Sequence, residues 1–189
     1  ETVKRGDITV IVTATGTLEP TNEVDVGSEV SGTIESVDVD FNDKVKVGQL
    51  LAKIDTTKLQ AQVTQSRAAL EAAEASVLQA EATVKETRSK LDQYEKVRQL
   101  SDNKVPSQLE FDAQQASYER AKADYASAKA AVSQAQATLE ANQTDLSKAV
   151  IHSPINGIVL TREIEQGQTV AASFETPVLF TLAEDLTKM

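Results

Sequence analysis

Apolar residues recur at every seventh position through the middle of this 189-residue chain. Val63, Leu70, Val77, Val84 and Leu91 form one series; Phe111, Tyr118, Tyr125, Val132, Leu139 and Leu146 form a second. Three residues behind the first four members of the first series stand Ser66, Ala73, Ala80 and Thr87. In the second series Ala121, Ala128 and Ala135 repeat that offset. One large and one small residue per heptad make an a/d seam that lets two helices approach closely. Between the series, Ser101-Asp102-Asn103-Lys104-Val105-Pro106 reads as a helix stop followed by a helix start. There is no glycine from Gln49 to Asn156, and between Lys58 and Ala149 Pro106 is the only proline. Ala, Gln, Glu, Lys and Ser, good or tolerated helix formers, fill the arms. The pattern predicts an antiparallel helical hairpin over 57–149, with arms of roughly 42–44 residues and on the order of 65 Å.

Outside the hairpin the period drops to two. Ile8, Val10 and Val12 alternate with Thr9, Ile11 and Thr13, and Gly16 and Pro20 punctuate the end of that segment. Val24 and Val26 lead to Gly27. Val30, Gly32 and Ile34 share one face, and Val37, Val39 and Phe41 follow in a shifted register, which predicts a bulge near Ser36. Asn42-Asp43 and Gly48 supply turns, and Leu50–Ile54 a last strand. Asp55 or Thr56 is placed to cap the ascending helix. Beyond the hairpin, Val150–His152, Ile158–Leu160 and Val178–Ala183 read as strands, with turns at Asn156-Gly157 and Gln166-Gly167-Gln168. The flanks echo each other: Ser31-Gly32-Thr33-Ile34 resembles Asn156-Gly157-Ile158-Val159, and Val47-Gly48-Gln49-Leu50-Leu51 resembles Gln166-Gly167-Gln168-Thr169-Val170. Neither flank is long enough to bury a core by itself. The fold class predicted is α+β, a long coiled-coil hairpin inserted at a surface turn of a small split β-sandwich.

Composition narrows the function. Net charge is −10, and most of the acidic excess lies in the flanks because the hairpin's charges nearly balance. Such a surface does not suit nucleic acid, whose phosphates need a basic face. No apolar window of ~18 residues offers a membrane span. Glu1 rather than Met opens the chain, so targeting elements are expected to precede it. The absence of cysteine excludes disulfides and thiolate metal sites and fits an oxidising compartment. His152 is the only histidine and Met189 the only methionine, so neither a histidine-based metal or nucleophile site nor a methionine-rich metal relay is supported. No phosphate-binding loop, dinucleotide fingerprint or Ser/His/Asp arrangement occurs. An enzyme is not expected, and no cofactor or metal is implied.

The flanking segments resemble the biotinyl/lipoyl-domain pattern, carried first by Val30-Ser31-Gly32-Thr33-Ile34 with Asn42–Leu51 and then by Ser153-Pro154-Ile155-Asn156-Gly157 with Gly167-Gln168-Thr169-Val170. With the opening Val3–Ile8 and Ala14–Pro20, the whole arrangement resembles a periplasmic adaptor, or HlyD-like membrane fusion protein, of bacterial tripartite efflux pumps. Gln166–Ala172 and Leu179–Ala183 are most similar to the MacA-like macrolide-efflux branch. The resemblance implies 23–56 and 150–184 as the two lipoyl-like halves around the hairpin at 57–149. It implies an N-terminal strand, 1–22, that pairs with later barrel and membrane-proximal domains, the barrel starting at 185–189. It also implies a non-catalytic periplasmic protein, anchored to the inner membrane outside this segment. Its partners would be an inner-membrane transporter, ABC-type and MacB-like, and a TolC-like outer-membrane channel, in a homo-oligomer that is a hexameric ring at full length. Partnership with an RND pump or a type I secretion system is the alternative within the fold. A lipoyl or biotinyl carrier is the alternative of another class. Against the carrier, Lys44 in Asp43-Lys44-Val45 lies in the turn before Gly48-Gln49, while the region after Ile54, where a lipoyl lysine belongs, is occupied by the hairpin.

The resemblance assigns channel docking to the hairpin tip. Family adaptors carry Arg, then Leu four residues on, then Ser seven further; this chain has Lys96, Leu100 and Ser107. Lysine keeps the charge and lacks the guanidinium fork, which Arg98 is the nearest residue to supply. Ser107-x-x-Glu110 also reads as a capping box, and Leu100 as a residue that closes the seam. Gln166 and Gln168 lie on a loop that, by the same resemblance, lines the central opening of a ring; an ordinary glycine-centred turn is the other reading.

Overall fold

The computed structural model describes residues 2, 10–15, 20, 22–102, 104–172 and 176–184. Among them run β1 (Glu23–Gly27), β2 (Gly32–Val37), β3 (Lys44–Val45), β4 (Leu50–Ile54), α1 (Thr57–Leu100), α2 (Gln108–Lys148), β5 (Val150–His152), β6 (Gly157–Arg162), β7 (Thr169–Val170) and β8 (Val178–Ala183). The helices hold 44 and 41 residues. Their buried and half-buried positions follow the heptads: Val63, Ser66, Leu70, Ala73 and Val77 onward in α1, and Phe111, Gln114, Tyr118, Ala121 and Tyr125 onward in α2. Burial is shallow, because two helices cover only one stripe of each other.

At the base of α1 the Asp55 carboxylate accepts from the Thr57 N–H at 2.9 Å and from its hydroxyl at 2.6 Å, while Thr56 makes no side-chain cap. These bonds hold the Asp55 carboxyl below its ordinary pKa. Two polar layers interrupt the seam. Asn142 donates to Ser66 Oγ near the base, and Gln114 Nε2 donates to the Thr87 carbonyl at 3.3 Å nearer the tip. The heptad series itself gives no sign of them, since Ser66 and Thr87 occupy small-residue positions.

The strands form two four-stranded antiparallel sheets, ordered β1-β8-β6-β3 and β5-β4-β2-β7. Each sheet takes two strands from before the hairpin and two from after it. Val26, Ile34, Leu51, Ile54, Val159, Ile164, Phe180 and Leu182 all join one buried cluster. The register of β2 slips between Ile34 and Ser36, where the bulge was expected, and β6 slips between Val159 and Thr161.

The two halves are related by a pseudo-two-fold that exchanges the sheets, β1 with β5, β2 with β6, β3 with β7 and β4 with β8. Hydrogen bonds repeat under it. Ser28 Oγ donates to the Val30 carbonyl at 2.6 Å, and Ser153 Oγ to that of Ile155 at 2.7 Å. The Asn42 N–H donates to Val159 and the Gly167 N–H to Ile34, both at 2.9 Å. This corrects the second sequence echo. Gln166-Gly167-Gln168 occupies the place of Phe41-Asn42-Asp43, not of Val47-Gly48-Gln49. Asn42 (φ 67°) and Gly167 (φ 84°) are the equivalent left-handed residues, and asparagine tolerates that region where most side chains do not.

Three further expectations change. Phe41 sits in a turn and is 70% exposed, off the face that Val39 buries. Lys44 lies on the short strand β3, opposite Ile158, rather than in a turn. Within the alternating N-terminal segment, residues 10–15 are exposed and form no strand. Ile8, Thr9, Gly16, residues 185–189 and Met189 lie outside the described residues.

Candidate functional site: the hairpin tip

The turn between the helices is held by its own side chains. Ser101 Oγ donates to the Val105 carbonyl at 2.6 Å and accepts from the Val105 N–H at 3.1 Å. Pro106 is buried beneath it. At the start of α2, Ser107 Oγ accepts from the Glu110 N–H at 3.4 Å, and the Glu110 carboxylate accepts from the Ser107 N–H at 2.9 Å and hydroxyl at 2.8 Å. That is the reciprocal capping box expected from the sequence. The Ser107 bonds hold the Glu110 carboxyl below its ordinary pKa.

Rigid backbone at a helical end carries apolar groups outward. Leu100 is 89% exposed and Leu109 81%, with Val97 and Val105 also open. Leu100 therefore does not close the seam. Gln93, Tyr94, Val97, Val105, Pro106 and Glu110 line a shallow groove of about 330 Å³ on one flank. Lys96 and Leu100 are four residues apart at the end of α1, hence on one side of it, and both are exposed. Ser107 is exposed but committed to its cap. Arg98 points inward: its guanidinium lies 4.8 Å from the Phe111 ring centroid and donates to Gln108 Oε1 at 2.8 Å. Arg98 is thus stacked and hydrogen-bonded within the hairpin. Such a tip presents Lys96 beside the apolar knob of Leu100, with Lys104 also exposed on the turn.

The second candidate loop belongs to the β domain. Gln166 Nε2 donates to the Glu35 carbonyl at 3.0 Å, and Gln168 Oε1 accepts from the Glu165 N–H at 3.0 Å. Under the pseudo-two-fold Gln168 does what Asp43 does in accepting from the Asp40 N–H at 2.8 Å. Both glutamines are exposed; Gln168 pins its own turn, and Gln166 ties that turn to β2. Beside the equivalent turn, the Phe41 N–H and then Arg162 lower the pKa of Asp40. Among the described residues, no three His, Asp or Glu side chains gather where a metal would bind. Among the described residues, no helix is long and apolar enough to cross a membrane.

Comparison with known proteins fits this architecture. The family model for the barrel-sandwich hybrid domain of RND membrane fusion proteins matches residues 22–182. The chain is 36% identical over 182 residues to the pyoverdine export membrane fusion protein PvdR of Pseudomonas aeruginosa, covering 96% of this chain and 46% of that protein. It is 33% identical over 182 residues to the macrolide export protein MacA of Escherichia coli O157:H7, covering 96% and 48%. In three dimensions it is similar to MacA from Actinobacillus actinomycetemcomitans, with a TM-score of 0.79 and 30% identity over 88% of this chain and 50% of that one. The chain thus spans about half the length of the relatives it matches. With two long helices set between β segments that share one core, and with the family model matching from Asn22 to Leu182, the chain belongs to the membrane fusion proteins.

Proposed function

We propose that this chain is the central part of a non-catalytic periplasmic adaptor that links an inner-membrane transporter to a TolC-like outer-membrane channel for efflux of small molecules. The observation that carries the reading is the hairpin tip. A seam-zipped arm ends in a self-capped turn that leaves Leu100 almost wholly exposed beside Lys96. With Leu109, Val105 and Val97, Leu100 forms an exposed apolar cluster at the tip, the kind of surface that suits a protein partner. Residues 23–56 and 150–184 serve as two lipoyl-like halves of a mount, and the hairpin at 57–149 as its arm. The sequence before residue 22 and after 184 leads to the membrane-facing domains.

An ABC transporter of the MacB kind is the favoured inner-membrane partner, supported by likeness to macrolide export proteins named MacA. Likeness to a pyoverdine export protein at similar identity leaves the cargo open. The adaptor works as a ring of identical subunits, with Gln166 and Gln168 lining its opening.

Lys96→Glu in the intact protein tests the docking. The site is exposed, so the substitution costs little stability, within about 0.5 kcal/mol. At an interface the reversed charge is expensive. Export, read as resistance to the cargo, is expected to be lost with unchanged melting and expression, and Lys96→Arg is expected to retain it. Full export by the Lys96→Glu strain, with a channel present and required, overturns the docking role.

A further inference from the structure

The pseudo-two-fold carries its own control. Residues 28–47 and 153–172 correspond one to one under it, and the turns 38–43 and 163–168 are built from the same bonds. The Asp38 N–H donates to the Leu51 carbonyl and the Glu163 N–H to that of Leu179, both at 2.9 Å. The Asp43 and Gln168 N–H groups donate to the Asp40 and Glu165 carbonyls, both at 3.1 Å. Further along, the Val47 N–H donates to Asn156 Oδ1 at 3.0 Å and the Ala172 N–H to Ser31 Oγ at 2.9 Å.

The side chains that cross between the turns break this symmetry. Arg162 Nε donates to Asp40 Oδ1 at 3.1 Å, and its Nη1 donates to the Ile164 carbonyl. Gln166, four residues on, donates to the Glu35 carbonyl. Their mates are Val37 and Phe41, neither of which has a polar group to return the contact. The first turn thus keeps its backbone bonds with valine and phenylalanine where the second has arginine and glutamine. Folding of such a turn does not by itself call for an arginine at position 162. Together with Asp38, Asp40 and Asp43, Arg162 and Gln166 line a cleft of about 350 Å³ between the two turns.

What the arginine adds is a tie. A flat guanidinium has donors enough to hold Asp40 and Ile164 at once, where a lysine would supply one point charge. The Arg162 and Asp40 side chains are 29% and 74% exposed, and exposed pairs contribute little to folding. The tie therefore acts on where the loop sits rather than on whether the domain folds.

We propose that Arg162 is a positioning residue for the loop 163–168: by bridging Asp40 and the Ile164 carbonyl it fixes that loop against the first turn, and so sets the place of Gln166 and Gln168 at the opening of the ring. The proposal rests on the adaptor reading, in which those glutamines line the opening, and adds to it the residue that holds them there.

Amide hydrogen exchange and export, both measured on the intact protein, test it. Arg162→Met is expected to speed exchange across 163–168 several-fold and to lower export several-fold, with melting unchanged. Asp40→Ala breaks the tie from its exposed end without touching β6, and is expected to speed exchange at 163–168 as well. Because that effect passes through Arg162, Asp40→Ala should add nothing at 163–168 in the Arg162→Met background. Additive effects of the two changes there mark a general loosening and overturn the proposal. Unchanged exchange at 163–168 in either single variant overturns it too. Raised exchange with full export removes the loop from the passage and leaves tip docking standing. If Lys96→Glu retains export while Arg162→Met raises exchange and lowers export, tip docking falls and this assignment stands.

Discussion

The hairpin and the β domain solve the problem of stability in opposite ways. In the hairpin each heptad contacts mainly the one across from it, and even core positions such as Val77 and Val132 remain half exposed. In the β domain Leu51, Ile54, Phe180 and Leu182 are wholly buried, and four of the six strand pairings join segments from opposite sides of the hairpin. The arm is a zipper whose local loss stays local, and the mount is a single knot. That division suits a part that must hold a tip tens of ångströms away from a fixed base.

Cutting the knot gives the largest expected effect. Residues 23–55 alone should be unfolded, since β2 and β4 lose β5 and β7 and β1 loses β8. Joining Asp55 to Val150 through a short Gly/Ser turn should restore a folded domain, because the hairpin contributes little to the common core. Dispersed amide NMR signals from the first half alone would refute the interleaving.

Matched substitutions sharpen the contrast. Leu139→Asp places an unpaired charge in the seam and should cost several kcal/mol, read as a lower helical transition by circular dichroism. Truncation should separate the regions further. Phe180→Ala, in the fully buried core, should cost about 3–5 kcal/mol, and Val77→Ala about 1 kcal/mol because its site is already half open.

The pseudo-two-fold can be tested at its glycines. A Cβ at Gly157 would lie 2.1 Å from the Ala183 carbonyl oxygen, and one at Gly32 would lie 2.5 Å from Ile54 Cγ2. Backbone cannot yield as a side chain can. Gly157→Ala should therefore destabilise by roughly 1–3 kcal/mol and Gly32→Ala by less, measured by denaturant unfolding.

Much of the arm was legible because a seven-residue period survives without tertiary information. The turn, the capping box and the seam all follow from local rules. The β half was legible only in outline. Val47-Gly48-Gln49 looks more like Gln166-Gly167-Gln168 than Phe41-Asn42-Asp43 does, yet backbone sign, not side-chain likeness, sets the equivalence. The usable signal was spacing: Asn42 stands ten residues after Gly32, and Gly167 ten after Gly157. At the tip, the types and spacing of Lys96, Leu100 and Ser107 were readable, but not that Arg98 turns inward or that Leu100 turns out. Those depend on how the last turn of α1 meets Phe111.

The smallest effects lie at the caps. Ser107→Ala should cost about 1 kcal/mol. Because Ser107 holds the Glu110 carboxyl below its ordinary 4.5, the carboxylate's separate share of the capping box is present above that pH and fades as pH falls through the lowered value. Helicity at the start of α2 should dip on acidification in the parent and not in Ser107→Ala.

The central claim is that the tip of the arm meets an outer-membrane channel. A photo-activated cross-linking residue at position 100 of the intact protein, in cells that carry its channel, reads that contact directly. A Leu100 product containing the channel, identified by mass, is expected, with none from the same probe at buried Leu139. Position 100 joining only other copies of this chain, or nothing, while export proceeds, would contradict the account.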